Sequence, residues 1–322
     1  MTDIRPLRWH DLPLAYRLVG RGVSFDAHLR LIVGEDPLRH AQLTGSRRTQ
    51  TYILRRAGEG NGLASLYYPA GDQHARLGFI SPALEEGVEE GLWLNLLDGL
   101  AEAAGQRGTL TIAAEVDEYG PALEVLRRAG FAIYARQDMW VRPAAPLHGS
   151  SLILRKAQPG ELAGVQSLYA ALVPALIRQV EPVPVAASGI YVLDGCEGAG
   201  AMLTAFRCGR RVLAELYLHP EIDLEALAVI NGTLAALHAG TCTVYFRVRR
   251  YMGWLGDSLQ ELGFRLESSQ AVMVRHIAAP IRAQEGFKPL PSIENGLVST
   301  PIADWRQIIA PAGPVLEGYR HH

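Results

Sequence analysis

Apolar residues recur along this chain in two rhythms, one of helical period and one alternating, and their order repeats. Leu14, Leu18 and Val19 mark one face of a helix beginning near Asp11, after a short extended segment over residues 4–8. Residues 25–33 predict a second helical stretch. Residues 51–55, 63–68 and 74–80 then read as three strands, separated by turn clusters at 58–62 and 69–72. Residues 89–104 return to the helical period, with Leu92, Leu96 and Leu100 beside Trp93 and Leu97. A buried strand is predicted over 109–114 and a short helix over 119–129, which Gly130 ends. An extended pair over 131–142 completes the unit.

After a linker at 144–150 the order starts again. Strand 152–155, helix 160–179, strands 189–193, 201–207 and 211–218, helix 223–238, strand 241–248 and helix 253–262 follow the first unit. Residues 130–142 align without a gap on 263–275, with Gly, Phe, Gln, Val and Arg identical at an offset of 133. Upstream, Arg5, Asp11 and Leu12 match Arg155, Glu161 and Leu162. A length of 322 residues suits two cores better than one. The expected organisation is therefore two tandem copies of one α/β unit, residues 1–143 and 151–278. The remainder, 279–322, has no period and six prolines, as expected of a tail wrapping an existing surface.

Composition narrows the chemistry. The chain is 48% hydrophobic and 20% charged, which are globular values. A net charge of −2 offers no general affinity for nucleic acid or an anionic membrane. Cys196, Cys208 and Cys242 show no C-x-x-C spacing, which argues for a reducing compartment and against a zinc site. The ten histidines lack metal-ligand spacing, so no metal is expected. No leader pattern opens the chain, and no apolar run approaches the ~18 residues of a membrane span, so a cytoplasmic protein is expected.

The segment 122–131, Ala-Leu-Glu-Val-Leu-Arg-Arg-Ala-Gly-Phe, and its echo 259–264 resemble the stretch between the fifth and sixth strands of the GNAT acyltransferase superfamily. With the element order, the resemblance covers roughly residues 1–142 and 151–277. It implies an α/β (α+β) fold of two tandem GNAT-like domains, each a mixed, mostly antiparallel sheet flanked by helices. The two would pack as an intrachain pseudo-dimer. It also implies N-acyl transfer from acetyl-CoA or another acyl-CoA to a small-molecule amine acceptor. The cofactor would lie between splayed fourth and fifth strands, with its pyrophosphate on the following helix N-terminus.

Carried onto this chain, that cofactor site falls in the first unit at Ile80, Gly87, Val88 and Gly91. The same loop carries Glu85, Glu86, Glu89 and Glu90. A carboxylate ~5 Å from a phosphate charge repels it by about 3 kcal/mol at an effective dielectric near 20. In the second unit residues 219–226 contain no glycine and are acidic as well. The family's general-acid tyrosine is replaced by Leu126 and Leu259, leaving Tyr119 and Tyr251 as the nearest phenols. Glu215 stands where the family often places the base that deprotonates an amine through water; a polar face on a half-exposed strand explains it equally. Tyr245, Arg247 and Arg249 alternate on one strand face, as an anion site or as ion-pair partners across the units. The competing function is a non-catalytic tandem module that binds a small metabolite or a protein partner.

Overall fold

The computed structural model describes residues 4–33, 48–56, 60–68, 73–84, 88–147, 149, 152, 154–181, 189–195, 198–220, 222 and 225–277. The expectation for the tail, 279–322, lies outside the described residues. The first half contributes β1 (Ile4–Pro6), β2 (Val23–Ser24), β3 (Thr49–Arg56), β4 (Gly60–Tyr67), β5 (His74–Ser81), β6 (Thr111–Asp117) and β7 (Ala132–Arg142). The second contributes β8 (Arg155–Lys156), β9 (Ile190–Gly195), β10 (Gly198–Cys208), β11 (Arg211–Leu218), β12 (Thr243–Arg249) and β13 (Arg265–His276). The helices are α1 (Leu12–Val19), α2 (Ala27–Val33), α3 (Glu90–Gln106), α4 (Ala122–Arg128), α5 (Leu162–Leu172), α6 (Ala175–Val180), α7 (Ala226–Ala236) and α8 (Gly256–Glu261).

The strands form one sheet in the order β1-β3-β4-β5-β6-β13-β7-β12-β11-β10-β9-β8, with β2 paired to β5. Each half builds a mixed, mostly antiparallel sheet, and the two join because they exchange their last strands. β13 of the second half lies against β6 of the first, and β7 of the first lies against β12 of the second. The extended pair expected at 131–142 is instead the single strand β7. No turn residue interrupts it, and its antiparallel neighbours both come from the other half.

The repeat is visible in the bonds. Arg5 grips Asp11 through two hydrogen bonds of 2.7 and 2.8 Å, and Arg155 grips Glu161 through two of 2.9 and 2.5 Å. Each carboxylate also accepts the main-chain N–H three residues before it, from Arg8 and Gln158 respectively, closing the same helix-entry box. In the β7–β13 ladder Gln137 stands opposite Gln270, its own sequence equivalent, so a pseudo-twofold axis passes between them. Register slips at Tyr134 on β7 and at Glu267 on β13, again equivalent residues.

Helices α3, α4, α7 and α8 cover one face of the sheet over two clusters, one around Trp93, Leu96 and Leu126, the other around Val229, Phe246 and Leu259. The opposite face carries α1, α2, α5 and α6. The long helix expected at 160–179 divides into α5 and α6, because Pro174 lacks the N–H that would continue it. The helix expected at 25–33 starts only at Ala27, and Phe25 joins an extended segment instead.

Candidate functional site

In each half the parallel pair at the centre of the sheet opens like a V. β5 pairs with β6 from His74–Thr111 to Arg76–Ala113, and β11 pairs with β12 from Arg211–Thr243 to Glu215–Arg247. Setting Thr111 on Thr243 places His74 on Arg211, Gly78 on Glu215 and Ile80 on Tyr217. The same alignment sets Glu115 on Arg247, Asp117 on Arg249 and Glu118 on Arg250. Three acidic positions in one copy are therefore basic in the other.

Two of these reversed pairs meet in space. Arg247 Nη2 lies 2.9 Å from Glu115 Oε1, both side chains under a tenth exposed, and Arg250 donates to Glu118 at the surface. A wider buried network grows from the first pair on the α2/α6 face. Arg76 lies 3.2 Å from Asp26 and 3.9 Å from Glu115. Arg247 reaches Glu215 at 3.7 Å, and Arg249 reaches it at 3.4 Å. Arg249 Nη2 donates to both oxygens of Glu181 at 2.6 and 2.7 Å, and the Tyr134 hydroxyl donates to Glu181 at 2.5 Å. Arg247 Nε and Arg249 Nη1 meet no acceptor among the described residues.

Charge settles the protonation of this network. Burial alone would raise Asp26 and Glu181, but Arg76 beside the first and Arg249 beside the second hold both below the usual carboxylate range. Burial drives His28 down to about 3, so its imidazole is neutral. Burial, reinforced by the charge of Glu215, pushes the phenols of Tyr217 and Tyr251 up, so both stay protonated. The opening beside the network, lined by Phe25, Asp26, Arg76, Glu115, Tyr134 and Glu181, has about 10 Å³ open to a water's centre, the space of one water.

The residues singled out from sequence are not gathered in one place. Glu215 lies on β11 where the second V begins, largely buried, with Tyr217 two residues on and packed at 5.4 Å against Tyr169. Tyr251 follows β12 and packs against the clusters on both faces of the second half. Tyr119 is in the turn after β6, 86% exposed, and no contact joins it to Glu215 among the described residues. Ile80 is fully buried on β5, and Val88 packs on the core of the first half. Gly91 is exposed in the first turn of α3, where an added Cβ would meet nothing within 4 Å. Gly87, Glu85 and Glu86 lie outside the described residues. Glu90 is paired with Arg128, and Glu89 caps α3 without a side-chain bond.

The two V-shaped openings differ. At Phe79–Ile80 one edge of β5 pairs with β4, and β2 takes the other, the edge that β6 occupies lower down. The Phe25 N–H donates to Gly78 O at 2.9 Å, and the Glu115 N–H donates to Phe25 O at 2.8 Å, so one residue bridges both arms. In the second half Leu216, Tyr217 and Leu218 pair with β10 on one edge. Past the Glu215–Arg247 pair, whose ladder ends with Leu216, the register gives Tyr217 and Leu218 no partner on the β12 side among the described residues. Sequence gave no sign of this difference, because neither Val23 nor Phe25 departs from the apolar pattern around it.

No group of three or more His, Cys, Asp or Glu side chains suited to a metal ion occurs among the described residues, and no helix among them is long and apolar enough to cross a membrane. No protein-family model and no curated protein matches the chain. Solved structures do. A GCN5-related N-acetyltransferase from Sphaerobacter thermophilus superposes with a TM-score of 0.52 at 11% identity, over 85% of this chain and 95% of that one. A glucosamine N-acetyltransferase region in a fungal multi-domain β-N-acetylglucosaminidase gives 0.52 at 12%, over 85% and 38%. A tandem GNAT protein from the clavulanic acid pathway gives 0.48 at 15%, over 86% and 99%. The fold is that of the GCN5-related N-acetyltransferases.

Proposed function

We propose that this protein is an acyl-CoA-dependent N-acyltransferase acting on an amine, with its reacting centre in the second half at Glu215. The observation that carries this reading is the main-chain edge of β11 that opens at Tyr217–Leu218, just past the Glu215–Arg247 pair. An extended ligand bearing amides can add to such an edge as a strand does. The arm of an acyl-CoA has that shape and those groups. The acyl-CoA would supply an activated thioester; the protein would supply orientation and proton transfer.

Glu215 accepts the proton of the acceptor amine, directly or through a water, from its position at the mouth of the V. Arg247 and Arg249 hold the carboxylate in place. Tyr251, kept protonated by burial and by Glu215, is the hydroxyl suited to return a proton to the leaving thiolate. Glu225, the N-cap of α7, works against a phosphate at the far end, so the main-chain edge must contribute most of the affinity.

Among the residues suggested by sequence, this reading keeps Glu215 and replaces the surface-exposed Tyr119 with its counterpart Tyr251. It also moves the cofactor from Ile80, Gly87, Val88 and Gly91 to the β11 edge. The acceptor in this reading is a small-molecule amine. Thermal unfolding with acetyl-CoA is the direct test. A ligand at 100 times its Kd stabilises the native state by about 2.7 kcal/mol, a readily measured rise in Tm. An unchanged Tm at millimolar acetyl-CoA contradicts the proposal.

A further inference from the structure

We infer that the chain has a single acyl-CoA centre, because the first half has closed its own V with residues Gly22–Asp26 and uses that strap to seat α2 over the strand that carries Glu215. The inference rests on the acyltransferase reading for the identity of the ligand. The closed first V is independent of it.

The strap lies in the first V, along β5 from Ser81 to Gly78 and against β6 at Glu115. Gly22 approaches β5 so closely that a Cβ would stand 3.0 Å from Ile80 O and from the Ser81 side chain. Val23 and Ser24 run antiparallel to Ile80 and Phe79. The Phe25 main chain bridges β5 and β6, and its ring, 1% exposed, meets the Trp93 ring edge-on at 5.7 Å on the α3 side. A polar ligand arm would have to break the Phe25–Gly78 and Glu115–Phe25 bonds and expel a fully buried aromatic side chain. The position matching Glu215 is Gly78, and it has no room for any side chain. A Cβ there would collide with Ser65 Oγ and lie 2.8 Å from Leu29 Cδ1. Among the described residues the first V thus has no free edge at Phe79–Ile80 and no carboxylate at the position matching Glu215.

The strap then passes directly into α2. Asp26 accepts the Leu29 N–H at 2.8 Å, and Glu115 accepts the Ala27 N–H at 3.0 Å. Helix α2 packs over the part of the sheet where β7 joins the second half, and Ala27 and Leu31 cluster there with Met139 of β7 and Leu213 of β11. The His28 ring lies 5.5 Å from Phe206, and Arg30 pairs with Glu267 at 3.1 Å. Leu213 is two residues from Glu215 on the same strand face. Filling one V therefore roofs the strand that leads to the other. In the second half the matching turn, Val173–Pro174, bonds only within its own helices among the described residues.

The test combines calorimetric titration of the full chain with acetyl-CoA and hydrogen–deuterium exchange. One site per chain is expected. In the free protein the Phe25 and Glu115 amides should exchange slowly, and acetyl-CoA should leave them unchanged while protecting the Leu218 amide. Two sites per chain, or ligand protection centred on Ile80, would overturn the inference and leave the acyltransferase reading standing. Fast exchange at Phe25 and Glu115 in the free protein would also overturn it, with or without ligand. Slow exchange there with no heat of binding would uphold the strap and sink the acyl-CoA reading instead.

Discussion

Gln137 Nε2 donates a hydrogen bond of 2.7 Å to Gln270 Oε1, and these two residues are the same residue of the ancestral unit, met at the axis that relates its copies. Both side chains are buried, Gln137 completely. Two identical amides pair across a twofold only if one turns its donor and the other its acceptor toward the axis. Gln137→Leu or Gln270→Leu strands a buried polar group and should cost about 1–3 kcal/mol each. The double leucine variant should cost less than the sum, since neither partner is left behind. Urea unfolding of the three variants measures this directly.

The reversed charges near the axis make the halves complementary rather than self-matching. Arg247→Met leaves the buried carboxylates of Glu115 and Glu215 without their shared cation, a change expected to cost about 3–5 kcal/mol. Adding Glu115→Gln should recover part of that loss, with a coupling of about 0.5–3 kcal/mol in a double-mutant cycle. Additive effects would mean that the 2.9 Å pair contributes nothing beyond its separate members.

Acid should loosen both helix-entry boxes. Hydrogen bonds from Arg155 hold Glu161 down to about 2, and those from Arg5 hold Asp11 lower still. Their stabilisation is complete above the unfolded carboxylate range near pH ~4. It is lost as pH falls through the folded values. The urea midpoint should therefore drop between about pH 4 and 2. Asp11→Asn should be less stable at pH 7 and show a shallower decline across that window.

Two glycines should respond in opposite directions. Gly78→Ala forces a methyl group against Ser65 and Leu29 and should destabilise by about 1–3 kcal/mol. Gly91→Ala enters open space in a helix and should stabilise by about 0.4–1 kcal/mol. Acetyl-CoA affinity should be unaffected by the second change, because the first V takes no ligand. Thermal unfolding with and without acetyl-CoA reports both effects.

Much of the fold was legible because the signals were local. Arg5 with Asp11 and Arg155 with Glu161 announced two equivalent helix entries, and the gapless match of 130–142 with 263–275 announced a shared final strand. Three features were not legible. Phe131–Arg142 carries nothing to say that its neighbours come from the other half, since strand exchange leaves the period of each strand untouched. The strap was missed because Phe25 reads as the start of the helical stretch 25–33, and Val23 and Ser24 are too few to set a period. The tandem alignment of Glu115 with Arg247 was hidden by its own content, as opposite charges score as mismatch in a search for repeats. Glu215 was visible through its place on a strand. That Gly78 matches it, and that of the two V-shaped openings only the second is left open among the described residues, needed the sheet register.

Amine-dependent release of CoA from acetyl-CoA, measured for the wild-type chain and for Glu215→Gln across a panel of small amines, tests the central claim most directly. The wild type should release CoA only when an accepted amine is present, and the variant should bind acetyl-CoA normally while turning over about 10²–10⁴-fold more slowly. A Glu215→Gln variant as active as the wild type, or release that ignores the amine, would contradict it.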